Sequence, residues 1–325
     1  MKILQISQPS DAPALLQGAE PIWLSLDSPT PETLTAVGQE LGLDPLAIDD
    51  SIEFGQMPKL DDYPQSALLV FYGAGIEERE QGDLPRLIEV HFHITDNVVL
   101  CVRRDDSDAI ERAEQRVAAD DVHNAQAALL RFLDSLAASF APPLTHLENE
   151  LDVLEDEVMR DPQTETRQRL LELKHSLVKI RQTIDRQRDV MAGHRELLNR
   201  IPGSHESSAH NVIRDLYDRL ALTSQQIEIV RELITNALDL YVSAASKKLN
   251  ETMKVLMVVA TFFLPLTFLV GFFGQNFGWM TDRIDGLGDF LIFGLGVSIV
   301  FVVVLYMIFW RAGFLGKRKR GSGRS

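Results

Sequence analysis

A single cysteine, Cys101, occurs in 325 residues. An internal disulfide needs two cysteines and a four-cysteine zinc site needs four, so both are excluded. Basic residues are in deficit: 32 Lys and Arg stand against 47 Asp and Glu, a net charge of −15. Nucleic-acid phosphates select a basic face, so nucleic acid is not an expected partner. The chain has no G-x-x-x-x-G-K-[ST] loop and no kinase-type glycine loop, which removes the common machinery for ATP. Neither a nucleophile–base pair nor a cofactor loop stands out, so no enzyme and no cofactor are expected. The opening MKILQISQPS lacks a hydrophobic signal region, so export of the first ~250 residues by one is not expected. Glycine is missing from 204 to 270, where the only proline is Pro265.

What is present is unevenly distributed. Residues 251–325 carry eight Lys/Arg and four acids, a balance of +4, which leaves −19 on residues 1–250. Two stretches near the C-terminus hold no charge at all, residues 255–273 (nineteen) and 290–310 (twenty-one). A bilayer core of ~30 Å is crossed by about 20 helical residues, so both qualify as membrane spans. One such run could be the buried helix of a soluble protein; two adjacent ones point to a bilayer. Two spans bring the chain back to the side it left. Lys247, Lys248 and Lys254 flank the first run, and the basic cluster Lys317, Arg318, Lys319 and Arg320 follows the second. The loop between them has three acids, Asp282, Asp285 and Asp289, against Arg283. The positive-inside rule then places both termini in the cytoplasm of a bacterial-type inner (plasma) membrane and the loop outside.

The acidic part mixes strand and helix signals. Residues 22–26 (IWLSL) read as a strand, and Asp27-Ser28-Pro29-Thr30-Pro31 as a turn into a helix with Glu32 in its first turn. Residues 66–72 (SALLVFY) suit a buried strand, and residues 87–103 suit two strands joined at Thr95-Asp96-Asn97. This predicts a cytoplasmic α/β domain over residues 1–125. Apolar residues then recur at helical spacing (Leu129, Leu133, Leu136, Leu147, Leu151, Leu154 and Val158), which reads as one helix over 125–159. Asp161-Pro162 breaks it, and a second helix over about 164–198 completes a helical hairpin spanning residues 126–203. His91 and His93 share one face of a strand. Nothing completes a metal site around them, so a packed or exposed pair is the reading over a Zn²⁺ site; His205 and His210, at the start of the long helix, are read the same way. Cys101 reads as a small core hydrophobe.

The next segment has no breaker. A helix from about 209 to 264 would hold ~56 residues and measure ~84 Å at 1.5 Å per residue. Its apolar residues, among them Leu216, Leu220, Leu222, Ile227, Ile229, Leu233 and Ile234, need partners from the hairpin or from other copies, so a homo-oligomer is expected. Steps of three and four pick out one stripe: Asn250, Met253, Leu256, Ala260, Leu264, Thr267 and Gly271. It starts with an amide, continues with bulky apolar groups and ends with small or polar ones. A ring of such stripes would make an apolar constriction that gates by excluding water; ordinary contact between bilayer helices fits the same spacing.

The motifs on this segment are recognisable. Asn250 opens N-E-T-M-K-V-L, Leu264 opens L-P-L-T-F, and Gly271 opens G-F-F-G-Q-N-F. Upstream, Arg214 opens R-D-L-Y-D, Leu238 opens L-D-L-Y, Pro45 opens P-L-A-I-D-D and Gln56 opens Q-M-P-K. Over nearly its whole length the chain resembles the CorA family of divalent-cation transporters, whose motifs are N-E-x-M-K-V-L-T, P-L-T-F, Y-G-M-N-F, P-L-A-x-E-D and Q-R-P-K. One departure stands out: the family's G-M-N is Gly274-Gln275-Asn276 here. The related zinc-transporting ZntB branch usually has G-I-N or G-V-N.

The resemblance implies an α+β membrane protein assembled as a funnel-shaped homopentamer. Its parts would be the α/β domain, the hairpin, a stalk helix (204–254), a pore-lining first span (255–273), an external selectivity loop (274–289), a second span (290–310) and a basic tail (311–325). The stripe from Asn250 to Gly271 would line the pore, and Asn276 would face it. Mg²⁺ gives up water reluctantly, so a ring of neutral amide oxygens suits a hydrated ion that must also be released. Asp282, Asp285 and Asp289 would gather cations at the mouth. Lys317 to Arg320 would form a basic ring. A regulatory Mg²⁺ site between subunits is implied at Asp215, with Glu77 or Glu78 opposite it. The expected partners are further copies of the chain, the bilayer and divalent cations. Mg²⁺ uptake (with Co²⁺ or Ni²⁺), proton-coupled Zn²⁺ transport and a non-transporting membrane-anchored metal sensor or scaffold are the readings to separate.

Overall fold

The computed structural model describes residues 3–5, 22–79, 82–95, 98–104, 107–119, 125–193, 207–275, 278 and 286–311. The chain forms two compact units, Met1–Ala244 and Ala245–Ser325.

The first unit is built on a six-stranded mixed sheet. Its strands are β1 (Ile3–Gln5), β2 (Ile22–Asp27), β3 (Lys59–Asp62), β4 (Ala67–Glu77), β5 (Leu84–Ile94) and β6 (Val98–Arg103), in the order β1-β2-β6-β5-β4-β3. Strands β3 to β6 follow one another through short connections and pair antiparallel. Strands β1, β2 and β6 are parallel, and the β2-to-β6 connection contains helices, as a parallel pair requires. The predicted strand at 66–72 is longer than expected: β4 runs to Glu77 because β5 pairs with it as far as Leu84.

The sheet buries both faces. Trp23 registers with Val99, Phe92 with Cys101 and Leu69, and Phe71 with Val90. This face meets the ring of Phe132, which stacks on Trp23 at 5.3 Å and meets Phe92 edge-on at 5.4 Å. Leu24, Leu26, Leu100 and Val102 point the other way and pack with Leu34, Val37 and Ile48. The last three come from α1 (Pro31–Glu40) and α2 (Pro45–Glu53). Each helix starts with a proline after a capping side chain: Thr30 accepts from the Thr33 N–H, and Asp44 from the Leu46 N–H at 2.9 Å.

Helices α3 (Asp108–Ala119), α4 (Ala125–Ala138), α5 (Ala141–Arg160) and α6 (Thr164–Gly193) follow. The single helix expected over 125–159 is two. Pro142 and Pro143 have no N–H to continue a ladder, so they open α5 and end the run at Ala138. The apolar spacing hid the break because both pieces pack on one core, which buries Leu133, Leu136, Leu147 and Leu151 alike.

Helix α7 runs unbroken from Ser207 to Phe273, longer at both ends than the expected 209–264, and includes Pro265. In the first unit its Ile213, Leu216, Leu220, Ile227, Val230 and Ile234 are buried in the core with Leu173, Leu177, Ile180 and Ile184 of α6. The hairpin therefore supplies partners for one face of the helix. Leu222, Ile229 and Leu233 remain 62%, 50% and 39% exposed. The second unit holds the end of α7 and helix α8 (Leu287–Arg311), whose stretch Phe290–Gly296 is π-helical.

Candidate functional site

The two uncharged runs form the only parts of the described residues that are long and apolar enough, as helices, to cross a membrane; none of their most apolar window is buried. Within the second unit the two helices touch along one line. Phe262 of α7 meets Phe309 of α8 at 5.6 Å between ring centroids. From residue 251 to its end, the half-buried positions of α7 are Val258, Phe262, Pro265, Leu266, Leu269 and Phe273. At 3.6 residues per turn these cluster on a face about 180° from the predicted stripe. Met253, Leu256 and Leu264 of that stripe are 50%, 58% and 71% exposed, and Asn250, Ala260, Thr267 and Gly271 are exposed with them. The helix thus spends one face on α8 and leaves the opposite face, amide end included, unused by the described residues of this chain.

Local chemistry supports a continuous helix here. Thr261 donates its hydroxyl proton to the Met257 carbonyl at 2.7 Å, and Thr267 to the Phe263 carbonyl at 2.8 Å. Both hydroxyls are thereby satisfied in an apolar medium, and the Thr267 oxygen keeps lone pairs for an outside donor. Pro265 has no N–H to give, and the ladder continues past it. At the end of the helix the Gly274 N–H donates to Val270 at 2.9 Å and the Gln275 N–H to Phe272 at 3.2 Å. A Cβ at Gly274 would lie 3.1 Å from the Val270 carbonyl oxygen, so the tight exit favours glycine. Gln275 is exposed and Asp289 half-buried. Asn276, Asp282, Asp285 and the basic residues Lys317, Arg318, Lys319 and Arg320 lie outside the described residues, as does His205; of His210 only the helical backbone is described.

The residues expected to form a regulatory site are all in the first unit. Asp215 and Glu78 are exposed. Glu77 accepts a hydrogen bond from Arg79 at 2.9 Å, which holds its carboxyl below the usual range. Among the described residues no three His, Cys, Asp or Glu side chains gather as a metal site within the chain.

The histidine pair is packed rather than exposed, and its surroundings are polar. His91 and His93 are both fully buried. The Ser51 hydroxyl of α2 lies between them, 2.8 Å from His91 Nδ1 and 2.9 Å from His93 Nε2. His91 Nε2 reaches Glu89 at 2.7 Å, and Glu89 accepts the N–H groups of Gly55 and Gln56 at 2.6 and 2.9 Å. Burial acts to raise the Glu89 pKa, but His91 and the two N–H groups outweigh it and hold the carboxyl low. Glu89, His91 and His93 alternate along β5, so their common face was legible. Ser51 lies 40 residues from His91 on another element, and no spacing rule joins them. Cys101 is fully buried, and burial pushes its thiol pKa up, which suits a core residue and not a nucleophile.

The family model of the CorA-like Mg²⁺ transporter protein matches residues 18–318. The chain belongs to this family. The cobalt/magnesium transport protein CorA of Thermotoga maritima is 30% identical over 271 residues, 81% of this chain and 75% of that protein. The zinc transport protein ZntB of Yersinia pseudotuberculosis is 23% identical over 301 residues, 91% of this chain and 88% of that one. Among solved structures, the complete CorA magnesium transporter of Methanocaldococcus jannaschii superposes with a TM-score of 0.75 at 22% identity, covering 90% of this chain and 91% of that one. The soluble α/β unit, the long helix and the second apolar helix are therefore those of the CorA fold, in a membrane protein of a transporter family.

Proposed function

We propose that this CorA-family protein is a channel-like uptake system for divalent cations, with Mg²⁺ as its main substrate and Co²⁺ or Ni²⁺ as others. The observation that carries the reading is the split of α7: one face rests on α8, and the opposite face, Asn250 to Gly271, has no partner among the described residues. In a ring of five copies those faces meet around an axis. Met253 and Leu256 form an apolar constriction, and Thr267 and Gly271 a wider polar mouth. Asn276, beside Gly274 and Gln275, offers amide oxygens to a hydrated ion, and Asp282, Asp285 and Asp289 raise the local cation concentration. A potential of about 100 mV, negative inside, favours entry of a doubly charged ion by about 4.6 kcal/mol, so no nucleotide is needed. Both termini, with the basic ring at Lys317 to Arg320, lie in the cytoplasm. Internal Mg²⁺ bridges Asp215 to Glu77 or Glu78 of a neighbouring copy and closes the constriction.

A second reading has its own support. Relatives named as zinc transporters align over 91% of the chain, and Gln275 replaces the family's methionine. One experiment separates the two. The purified protein in liposomes is offered Mg²⁺, Co²⁺, Ni²⁺ and Zn²⁺ with and without a proton gradient. The channel reading expects gradient-independent Mg²⁺ flux that falls at least tenfold in Asn276→Ala. It also expects flux slowed by internal Mg²⁺, with the slowing relieved in Asp215→Lys. Proton-driven Zn²⁺ flux with little Mg²⁺ flux gives the zinc reading instead, and no flux of any ion leaves a sensor or scaffold.

A further inference from the structure

Helices α3 and α4 border a cleft of about 480 Å³ in the first unit, apart from every residue assigned above to transport or regulation. Arg112, Gln115 and Arg116 of α3 lie on one side; Ser135 and Ala138 of α4 lie on the other, and Ser139 and Pro142 close it where α4 gives way to α5. The lining holds two guanidinium groups and no carboxylate, although residues 1–250 carry −19. Arg112 is exposed and forms no ion pair among the described residues. Arg116 lies 3.6 Å from Asp134, beyond hydrogen-bond length, and Asp134 already accepts a hydrogen bond from Arg219 at 2.9 Å.

Ser135 is 8% exposed, yet its hydroxyl has no hydrogen-bond partner among the described residues. Other helical hydroxyls of this unit bond back to a carbonyl three or four residues earlier, as Ser176 does to Leu173 and Thr223 to Arg219. A buried hydroxyl left unpaired is costly, so this one calls for a partner from outside the chain. Ser139 is already committed. Its hydroxyl donates to the Leu136 carbonyl at 2.6 Å and accepts the Ala74 N–H at 2.8 Å, which fixes this end of α4 on β4. Two guanidinium groups repel a metal cation, and water would answer Ser135 but not the charge. A carboxylate spends its two oxygens on one guanidinium fork. Arg112 and Arg116 stand one turn apart on one helix face, with about 6 Å between Cβ atoms, so a tetrahedral dianion can serve both and keep an oxygen for Ser135. The space exceeds a bare phosphate, and Ala138 and Pro142 give it an apolar flank. We infer that this cleft binds the phosphate group of a small soluble phosphomonoester, with Arg112 and Arg116 as its ion-pair partners and Ser135 as a hydrogen-bond donor. The inference stands whether or not the chain carries Mg²⁺, because no residue of the stripe or the selectivity loop takes part.

The test uses the full-length protein in dodecyl maltoside without Mg²⁺, titrated in a calorimeter with glycerol 3-phosphate and, separately, with acetate. Saturable binding of one glycerol 3-phosphate per chain is expected, with acetate at least tenfold weaker. Arg112→Gln and Arg116→Gln should each weaken it at least tenfold and Ser135→Ala at least threefold. Arg167→Gln, at an exposed position of α6, removes the same charge elsewhere and should leave it unchanged. Both cleft arginines are exposed, so the loss should come with an unchanged melting temperature. Absence of saturable binding, acetate as tight as glycerol 3-phosphate, or equal affinities in Arg112→Gln and Arg167→Gln would overturn the inference. A lipid headgroup can carry the same monoester, and a second arm separates the sources. In phosphatidylcholine vesicles the glycerol 3-phosphate titration should be the same with and without added phosphatidic acid; its abolition by phosphatidic acid would overturn the soluble ligand and assign the cleft to a headgroup.

Discussion

In the unfolded chain a histidine takes up a proton near pH 6.5. In the folded protein burial, together with the neighbouring His91, lowers the His93 pKa to about 3. Between those values the unfolded state binds one proton more than the folded state at this residue, so the contribution of His93 to stability falls as pH falls. The slope is about 1.4 kcal/mol per pH unit over that window, and it vanishes above pH 6.5. His93→Gln keeps an amide that reaches Ser51 but cannot titrate. The variant should lose stability at pH 7.5, where an imidazole fitted to Ser51 is replaced. From pH 6 to pH 4 its stability should fall less steeply than that of the wild type, by up to one proton's worth. Denaturant unfolding of the soluble unit at several pH values, followed by Trp23 fluorescence in the full-length protein, measures both. Parallel slopes for the two proteins would mean that His93 does not stay neutral.

Elements in the first unit are joined by a few buried ions. Arg169 of α6 is 8% exposed and holds Glu150 of α5 through two hydrogen bonds of 2.6 and 2.9 Å. It also donates to the Asp83 carbonyl, at the end of the β4–β5 connection, at 2.6 Å. Gly82 sits under the guanidinium with φ of +105°, where a Cβ would lie 2.8 Å from Arg169 Nη2. One side chain therefore ties two helices to a hairpin turn. Arg169→Met leaves the Glu150 carboxylate unpaired and should cost about 3 kcal/mol; Arg169→Met with Glu150→Leu should recover more than half of that. A thermal-melting cycle over the two single variants and the double decides it, and additive losses would mean the pair is not coupled. Such ties are what the sequence hides. Local signals exposed the elements: apolar runs on either side of a turn marked β5 and β6, helical spacing marked α4 and α5, a proline break marked the start of α6, the lack of any breaker marked α7, and two uncharged runs marked the membrane hairpin. It missed the boundary at Ala138, because an apolar period continues across a proline break whenever both helices face one core. It could not pair Arg169 with Asp83 or Ser51 with His91, since partners far apart in sequence are chosen by the fold. The stripe on α7 was legible as a period. What spacing left open was which face α8 covers, and that depends on the packing of Phe262 on Phe309.

At the scale of the whole molecule, a continuous apolar and amide face on a membrane helix has to be covered by something. Lipid would suffice for Leu256 or Leu264, but Asn250 and Thr267 on the same face gain from polar company. Copies of the chain arranged with these faces inward satisfy both ends of the stripe at once. The chain is well suited to test this, because its one native thiol is inert: Cys101 is fully buried, and burial pushes its pKa up. A cysteine introduced by Leu256→Cys is then the reactive one. Oxidation or a short bis-maleimide applied in liposomes should link copies in pairs, since one thiol per chain permits no longer ladder. The yield should exceed that of Ile292→Cys, on the exposed side of α8, several-fold. A second cysteine from Met253→Cys, on the same stripe, allows chains to be linked in series, and the ladder should then end at five bands. A ladder ending at two would remove the ring, and with it the path along the stripe. Equal yields at positions 256 and 292 would mean that collision in the bilayer, and not a shared axis, brings the copies together.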